Sequence, residues 1–232
     1  MELIWQDEFN NGQDLEDNWH FEIGTGNSGW GNNESQFYRK ENASIQSGHL
    51  VIEAREESYA GRDYTSSRMI TSNSFDFQYG RVDIRAVLPK GQGIWPALWM
   101  LGSDFWSVGW PSCGEIDIME LIGHIPNRTH GSVHWQQDGG HIYNTGEVDL
   151  SNGIFNDEFH VFSLVWTENE IKWLLDDVQF HVIDITSPQM SEFHHPFFFI
   201  FNVAVGGNWP GYPDDTTVFP QQMIVDYIRV FQ

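Results

Sequence analysis

Residues 114–121 read GEIDIMEL, and the fold turns on how this stretch is phased. Glu115 and Asp117 alternate with Ile116 and Ile118, as on a strand with one face in water and one in a core. The period of two makes residue 119 the next position on the acidic face. That residue is methionine, and the carboxylate arrives one step late, at Glu120. A regular strand would turn Glu120 into the core, where an unpaired carboxylate is costly or gives up its charge. One extra residue, a β-bulge, returns Glu120 to the face of Glu115 and Asp117. The stretch therefore predicts a bulged strand with three acids on one face.

The same alternation runs through the rest of the chain. Leu50, Ile52 and Ala54 share a face in HLVIEARE, and Val82, Ile84, Ala86 and Leu88 share one in GRVDIRAVLP. FHVFSLVW and IKWLLDD read as two strands around TENE, and MIVDYIRVF as a final strand. Turn-forming clusters such as GNSGWGNN, LPKGQG and GGNWPGYPDD separate them. Helix-period stripes, repeats and linkers are missing, so residues 1–232 read as one all-β domain, a sandwich or barrel of antiparallel sheets. In the last strand the period of two groups Asp226 with Ile224, Ile228 and Val230. A carboxylate so placed needs hydrogen bonds or a metal ion.

Composition narrows the function. The chain holds 33 acids against 11 bases, a net charge of −22, which argues against nucleic acid and anionic membranes as partners. Neutral ligands, cations or solubility alone remain. Eleven Trp, 17 Phe and 7 Tyr exceed the ordinary share of aromatics. They fill cores, and they also stack on flat ligands such as the apolar face of a pyranose. The single cysteine, Cys113, permits no intrachain disulfide and reads as a small buried residue. The opening MELIWQDEF has no basic or apolar leader pattern, and no apolar run reaches a membrane-spanning length of about 18 residues.

Three acids on one strand face allow three readings: a solvated acidic face, a divalent-metal site, or a two-carboxylate hydrolytic site. With a bulge, the Glu115 and Glu120 Cα atoms stand about 13 Å apart, four pleat steps of about 3.3 Å. Side chains leaning together then bring the carboxyl groups toward the roughly 5–5.5 Å of retaining glycosidases. The roughly 6.5–9.5 Å of inverting enzymes stays open on geometry alone. Crowding makes at least one acid hold its proton to higher pH, which suits a general acid, and Asp117 between the two can help place that proton.

The motifs around the acids carry a resemblance. GIWPALWML at 93–101 precedes CGEIDIMEL at 113–121. WQDEF at 5–9, GWGNNESQFY at 29–38, YTSSRM at 64–69, FNVAVGGNWPG at 201–211 and VDYIRVFQ at 225–232 extend the pattern nearly end to end. Together they resemble family 16 glycoside hydrolases of the laminarinase type, whose E-x-D-x-x-E pattern is met in full. Lichenase relatives have E-x-D-x-E, without the extra residue.

The resemblance implies a β-jelly-roll of two curved antiparallel sheets, concanavalin A-like, with an open concave cleft. It implies retaining hydrolysis of internal β-1,3 bonds in laminarin-type glucans, with Glu115 as nucleophile, Glu120 as general acid/base and Asp117 assisting. Mixed β-1,3-1,4-glucan is the alternative substrate, and a non-catalytic glucan-binding module the alternative class. Trp95, Trp99 and Trp110 match cleft aromatics, although core packing also explains the first two. Asn33 and Arg68 match positions that bind glucose hydroxyls on the nonreducing side, although Arg68 also suits a surface ion pair. His134 shares a strand face with His130. Gly131, Val133 and the strand context argue against zinc, and His134 is expected to line the cleft near the leaving group. Glu8, the Gly48 carbonyl and Asp226 match a structural Ca²⁺ site on the convex side, away from chemistry that needs no cofactor. A secreted monomer acting on polysaccharide is the corresponding expectation.

Overall fold

The structure, a computed structural model, describes residues 1–232. Two sheets face each other. The first has seven strands in the spatial order Gly140–Asp149, Arg128–Gln137, Glu115–Glu120, Ile94–Gly102, Phe197–Val205, Arg68–Ile70, His20–Phe21. The second has ten. Its main path runs Val178–Asp184, Glu170–Leu175, His160–Trp166, Gly80–Val87, Gln221–Phe231, His49–Tyr59, Arg62–Ser66, Gln36–Tyr38. Leu3–Asp7 joins the C-terminal strand, and Ala43–Gln46 joins His49–Tyr59. The pairing is antiparallel apart from Gln36–Tyr38 on Arg62–Ser66, which is parallel. The arrangement is the expected jelly-roll-like sandwich.

The strands form where alternation predicts them. In Gly80–Val87 buried and half-buried residues alternate along the whole strand. The apolar run Phe197–Val205 behaves differently, because it lies in the middle of the first sheet and is buried on both faces. Phe197, Phe199, Phe201, Val203 and Val205 face the inter-sheet core. Phe198 and Ile200 face the other way and pack with Ile70, Leu101 and Cys113 in a small cluster. Cys113 is thus the buried apolar residue its sequence context suggests.

Forty buried residues form the core between the sheets. At roughly 1.5–3 kcal/mol for each large apolar side chain buried, this core dominates the favourable side of folding. Trp19, Trp166 and Trp173 are fully buried within it. Part of the aromatic excess thus fills the core, and other tryptophans, Trp95 and Trp99 among them, lie on the open face of the first sheet.

The C-terminal strand departs from its expected phase. Its register shifts between Val225 and Tyr227 against Gly80–Val87. The core face is Met223, Val225, Ile228 and Val230, and Asp226 is half-buried outside it. The expectation that Asp226 sits among apolar neighbours is corrected: a bulge turns it out of the core.

Candidate active site

The acid strand is bulged as GEIDIMEL requires. Against Ile94–Gly102, Asp117 pairs with Trp99 and Met119 with Leu98, with the register shift between them. Ile116, Ile118, Met119 and Leu121 all enter the core, so one strand sends two consecutive side chains inward. Glu115, Asp117 and Glu120 share the opposite, concave face.

Support for the bulge comes from the other sheet. Trp173 donates its indole N–H to the Asp117 carbonyl at 2.8 Å from inside the core. The bulge breaks the regular ladder at this carbonyl, and a buried carbonyl needs a donor. Trp173 reaches it because residue 131 is glycine. A Cβ there would stand 2.3 Å from the Trp173 ring. The Thr129 hydroxyl donates to the Glu120 carbonyl at 3.1 Å.

Electrostatics at the three acids follow from burial and crowding. Burial, reinforced by the Asp117 charge, pushes Glu115 up to about 8, while His134 pulls the other way. Burial and Asp117 push Glu120 up to about 8 as well, against the opposing effects of His134 and a hydrogen bond from Trp95. Asp117 is 2% exposed, and burial holds it well above the usual carboxylate range. His134 Nε2 lies 3.2 Å from Asp117 Oδ2 and 3.6 Å from Glu115 Oε1. One ligand atom each from Glu115, Asp117 and His134 falls within 4.8 Å, so the divalent-metal reading has the right residue types. The raised proton affinity of both acids works against it, because ligands must be deprotonated.

Trp95 and Trp99 lie on the cleft face, while Ile94, Leu98 and Met100 of the same strand fill the core. Trp95 Nε1 donates to Glu120 Oε1 at 3.0 Å and so fixes that carboxyl. Trp209 stands edge-on to Trp95 at 5.4 Å and to His130 at 5.0 Å. Trp110 is half-exposed, with its ring 4.6 Å from that of His141. His141 in turn shares a hydrogen bond of 2.9 Å with His134 Nδ1.

Arg68 does not choose between cleft wall and ion pair. Its Nε donates to Glu22, and the guanidinium is clamped between the rings of Trp30 at 4.6 Å and Trp99 at 4.8 Å. Its side chain is only 11% exposed, so this is no surface pair. Asn33 donates to Asn208 Oδ1 at 2.8 Å, which ties the 29–33 loop to the loop after Val205. The parts played by Trp173, Gly131, Glu22, Trp30, Trp209 and His141 were not read from the sequence. Of these, only Gly131 left a signal, a glycine interrupting an otherwise regular strand.

Glu8, Gly48 and Asp226 lie with the other sheet, apart from the acids. Arg229 grips Glu8 with two bonds of 2.7 and 2.9 Å. Arg85 donates to Asp226 at 2.5 Å, and His49 Nε2 is 3.5 Å away. Gly48, beside His49, donates its N–H to Asn11 Oδ1 at 2.8 Å. The donors are hard oxygens of the kind Ca²⁺ takes. Each carboxylate, however, is already answered by an arginine.

Residues 30–229 match the family model described as glycosyl hydrolases family 16. The laminarinase catalytic domain from Thermotoga maritima MSB8 is similar in structure. It shows a TM-score of 0.91 and 47% identity over 100% of this chain and 98% of that one. The beta-glucanase of Rhodothermus marinus is 41% identical over all of this chain and 85% of its own length. The clotting factor G alpha subunit of Tachypleus tridentatus is 39% identical, but this chain spans only 34% of it. With the bulged acid strand at the floor of its cleft, the chain belongs to glycosyl hydrolases family 16.

Proposed function

We propose that the chain is a retaining endo-hydrolase of internal β-1,3-glucosidic bonds. The observation that supports this most is the bulge that sets Glu115, Asp117 and Glu120 on one cleft face, with Trp95 holding Glu120. Glu115 attacks the anomeric carbon as a carboxylate. Glu120 protonates the departing oxygen, then takes a proton from the water that releases the glycosyl-enzyme. Asp117, buried between them, raises the proton affinity of both and with His134 helps place the shared proton. Trp99, Trp110, Arg68 and Asn33 bind sugar rings and hydroxyls.

The similarity to laminarinases and to a beta-glucanase favours β-1,3-glucan over other polysaccharides. A binding module on the same sandwich would have no use for two carboxyls of raised proton affinity held face to face with a substrate. Product analysis on laminarin, lichenan and agarose tests the reading. Laminarin cleaved to oligosaccharides supports it, lichenan cleaved in preference moves it to mixed-linkage glucan, and no product on any of them removes it. NMR of fresh product then separates mechanisms, since initial α-anomer excludes retention.

A cleft lined from one chain supports action as a monomer, and a polymeric substrate supports action outside the cell. The chemistry draws on no cofactor. A Ca²⁺ ion held by Glu8, the Gly48 carbonyl and Asp226 would displace Arg229 and Arg85. Both are more than a third exposed and on flexible stems. The role of the ion would be structural.

A further inference from the structure

Behind the cleft wall runs a buried polar chain whose hydrogen-bond directions leave no choice. At one end the Val205 backbone N–H donates to Gln36 Oε1 at 2.8 Å. That fixes the Gln36 amide, whose nitrogen donates to Glu34 Oε2 at 2.7 Å. At the other end the Trp99 indole N–H donates to Asn202 Oδ1 at 2.7 Å. The Asn202 nitrogen must then donate to the Tyr38 oxygen, at 3.0 Å, and the Tyr38 proton goes to Glu34 Oε2 at 3.1 Å. Asn32 Nδ2 donates to Glu34 Oε1 at 3.2 Å. Three donors thus converge on one residue. Glu34 and Asn202 are each 5% exposed, and Gln36 and Tyr38 are sealed from water.

Burial raises the proton affinity of Glu34, and the donors from Gln36, Asn32 and Tyr38 oppose it; as a carboxylate it only accepts, which suits the point where the two hydrogen-bond paths meet. A buried polar network is stiff when every member is satisfied and costly when one is not. We propose that Glu34 and Tyr38 are positioning residues that hold the Trp99 ring in the plane a sugar stacks on. Trp99 in turn closes one side of the clamp on Arg68. Glu34 and Tyr38 touch no substrate and act through Asn202. The proposal rests on the reading of the cleft as a glucan site.

The test is Tyr38→Phe, which keeps the ring volume and removes the one hydroxyl. The Trp99 indole N–H, assigned in ¹⁵N NMR with Trp99→Phe, is expected to shift and broaden while the buried Trp19 and Trp173 signals stay. KM for laminarin is expected to rise about fivefold, the worth of one hydrogen bond, with kcat nearly unchanged. A stationary Trp99 signal, or a fall in kcat as deep as that in kcat/KM, overturns the proposal. If Tyr38→Phe does not fold, Glu34→Gln reads the same coupling. Its single carbonyl oxygen cannot serve all three donors, so the Trp99 signal and KM must still move together. A wild type inactive on every β-glucan, with a Trp99 signal that moves in Tyr38→Phe, removes the substrate reading and keeps the relay. An active wild type with a stationary signal does the reverse.

Discussion

A bulge stands beside an acid in Glu115–Glu120 of one sheet and in Gln221–Phe231 of the other, and the two are used in opposite ways. In Glu115–Glu120 the extra residue brings a third carboxylate onto a face that already holds two. In Gln221–Phe231 it takes a lone carboxylate off the core face and hands it to Arg85 and His49. Around Asp226 the arginine meets the charge, and the site is half open to water. Around Glu115 and Glu120 burial and a neighbouring acid push both carboxyls up to about 8. The same backbone device thus relieves an acid in one sheet and stresses three in the other. Stressed acids are the ones useful for proton transfer.

The largest effect that can break this contrast is chemical. Glu115→Gln and Glu120→Gln are each expected to cut hydrolysis about 10³-fold or more, with folding and glucan binding intact. Asp226→Asn is expected to leave turnover unchanged. Near-normal turnover in either Gln variant ends the catalytic assignment.

Deleting Ile118 removes the bulge. The pattern becomes E-x-D-x-E, which a regular strand keeps in phase. The fold should lose about 2–4 kcal/mol for the missing core side chain, read by urea unfolding. Hydrolysis should stay well above that of Glu120→Gln. A loss as deep as that variant's, in a folded protein, would show that the bulge sets the reach of Glu120 as well as its face.

The raised acids also predict a stability profile. In the folded state burial and Asp117 raise Glu115 to about 8, so its ionised, nucleophilic form is the minor one below that pH, whereas in the unfolded chain it ionises near the ordinary 4.5. The unfolded state therefore loses its proton first, and the native state loses stability as pH rises from one value to the other. Glu115→Gln removes that loss. Its Tm should match the wild type at pH 4 and exceed it by roughly 10 °C or more at pH 9. Equal melting temperatures at both pH values would show that the carboxyl is not stressed.

The smallest effects belong to the second bulge. Asp226→Asn should cost about 1 kcal/mol or less, because the pair with Arg85 is partly exposed and screened by salt. If Ca²⁺ binds there, chelation should lower Tm more than it lowers activity measured well below melting. No thermal shift on chelation removes the ion from Glu8, Gly48 and Asp226.

One bulge was legible in the sequence and the other was not, for a physical reason. In GEIDIMEL three acids and a methionine contradict a regular period, and burying Glu120 would have been prohibitive. In MIVDYIRVF a single Asp marks the slip, and regular pairing leaves Ile224, Ile228 and Val230 in an acceptable apolar row. Nothing local penalises the wrong phase except one carboxylate. The flanking Trp95 and Trp99 were legible as a shared face, four residues apart on a strand. Arg68 was legible as a charged group, but its clamp between Trp30 and Trp99 was not.

The sequence by itself determined the strands, the inward faces of those with a regular period, the bulge at the three acids and the family, because each depends on residues close together along the chain. Tertiary structure alone decided what holds those acids in place. Trp173 reaches the Asp117 carbonyl across 56 residues, Arg85 reaches Asp226 across 141, and Asn202 reaches Tyr38 across 164. Such contacts depend on which strands end up adjacent and how closely two sheets approach. A side chain's own neighbours in sequence do not carry that information.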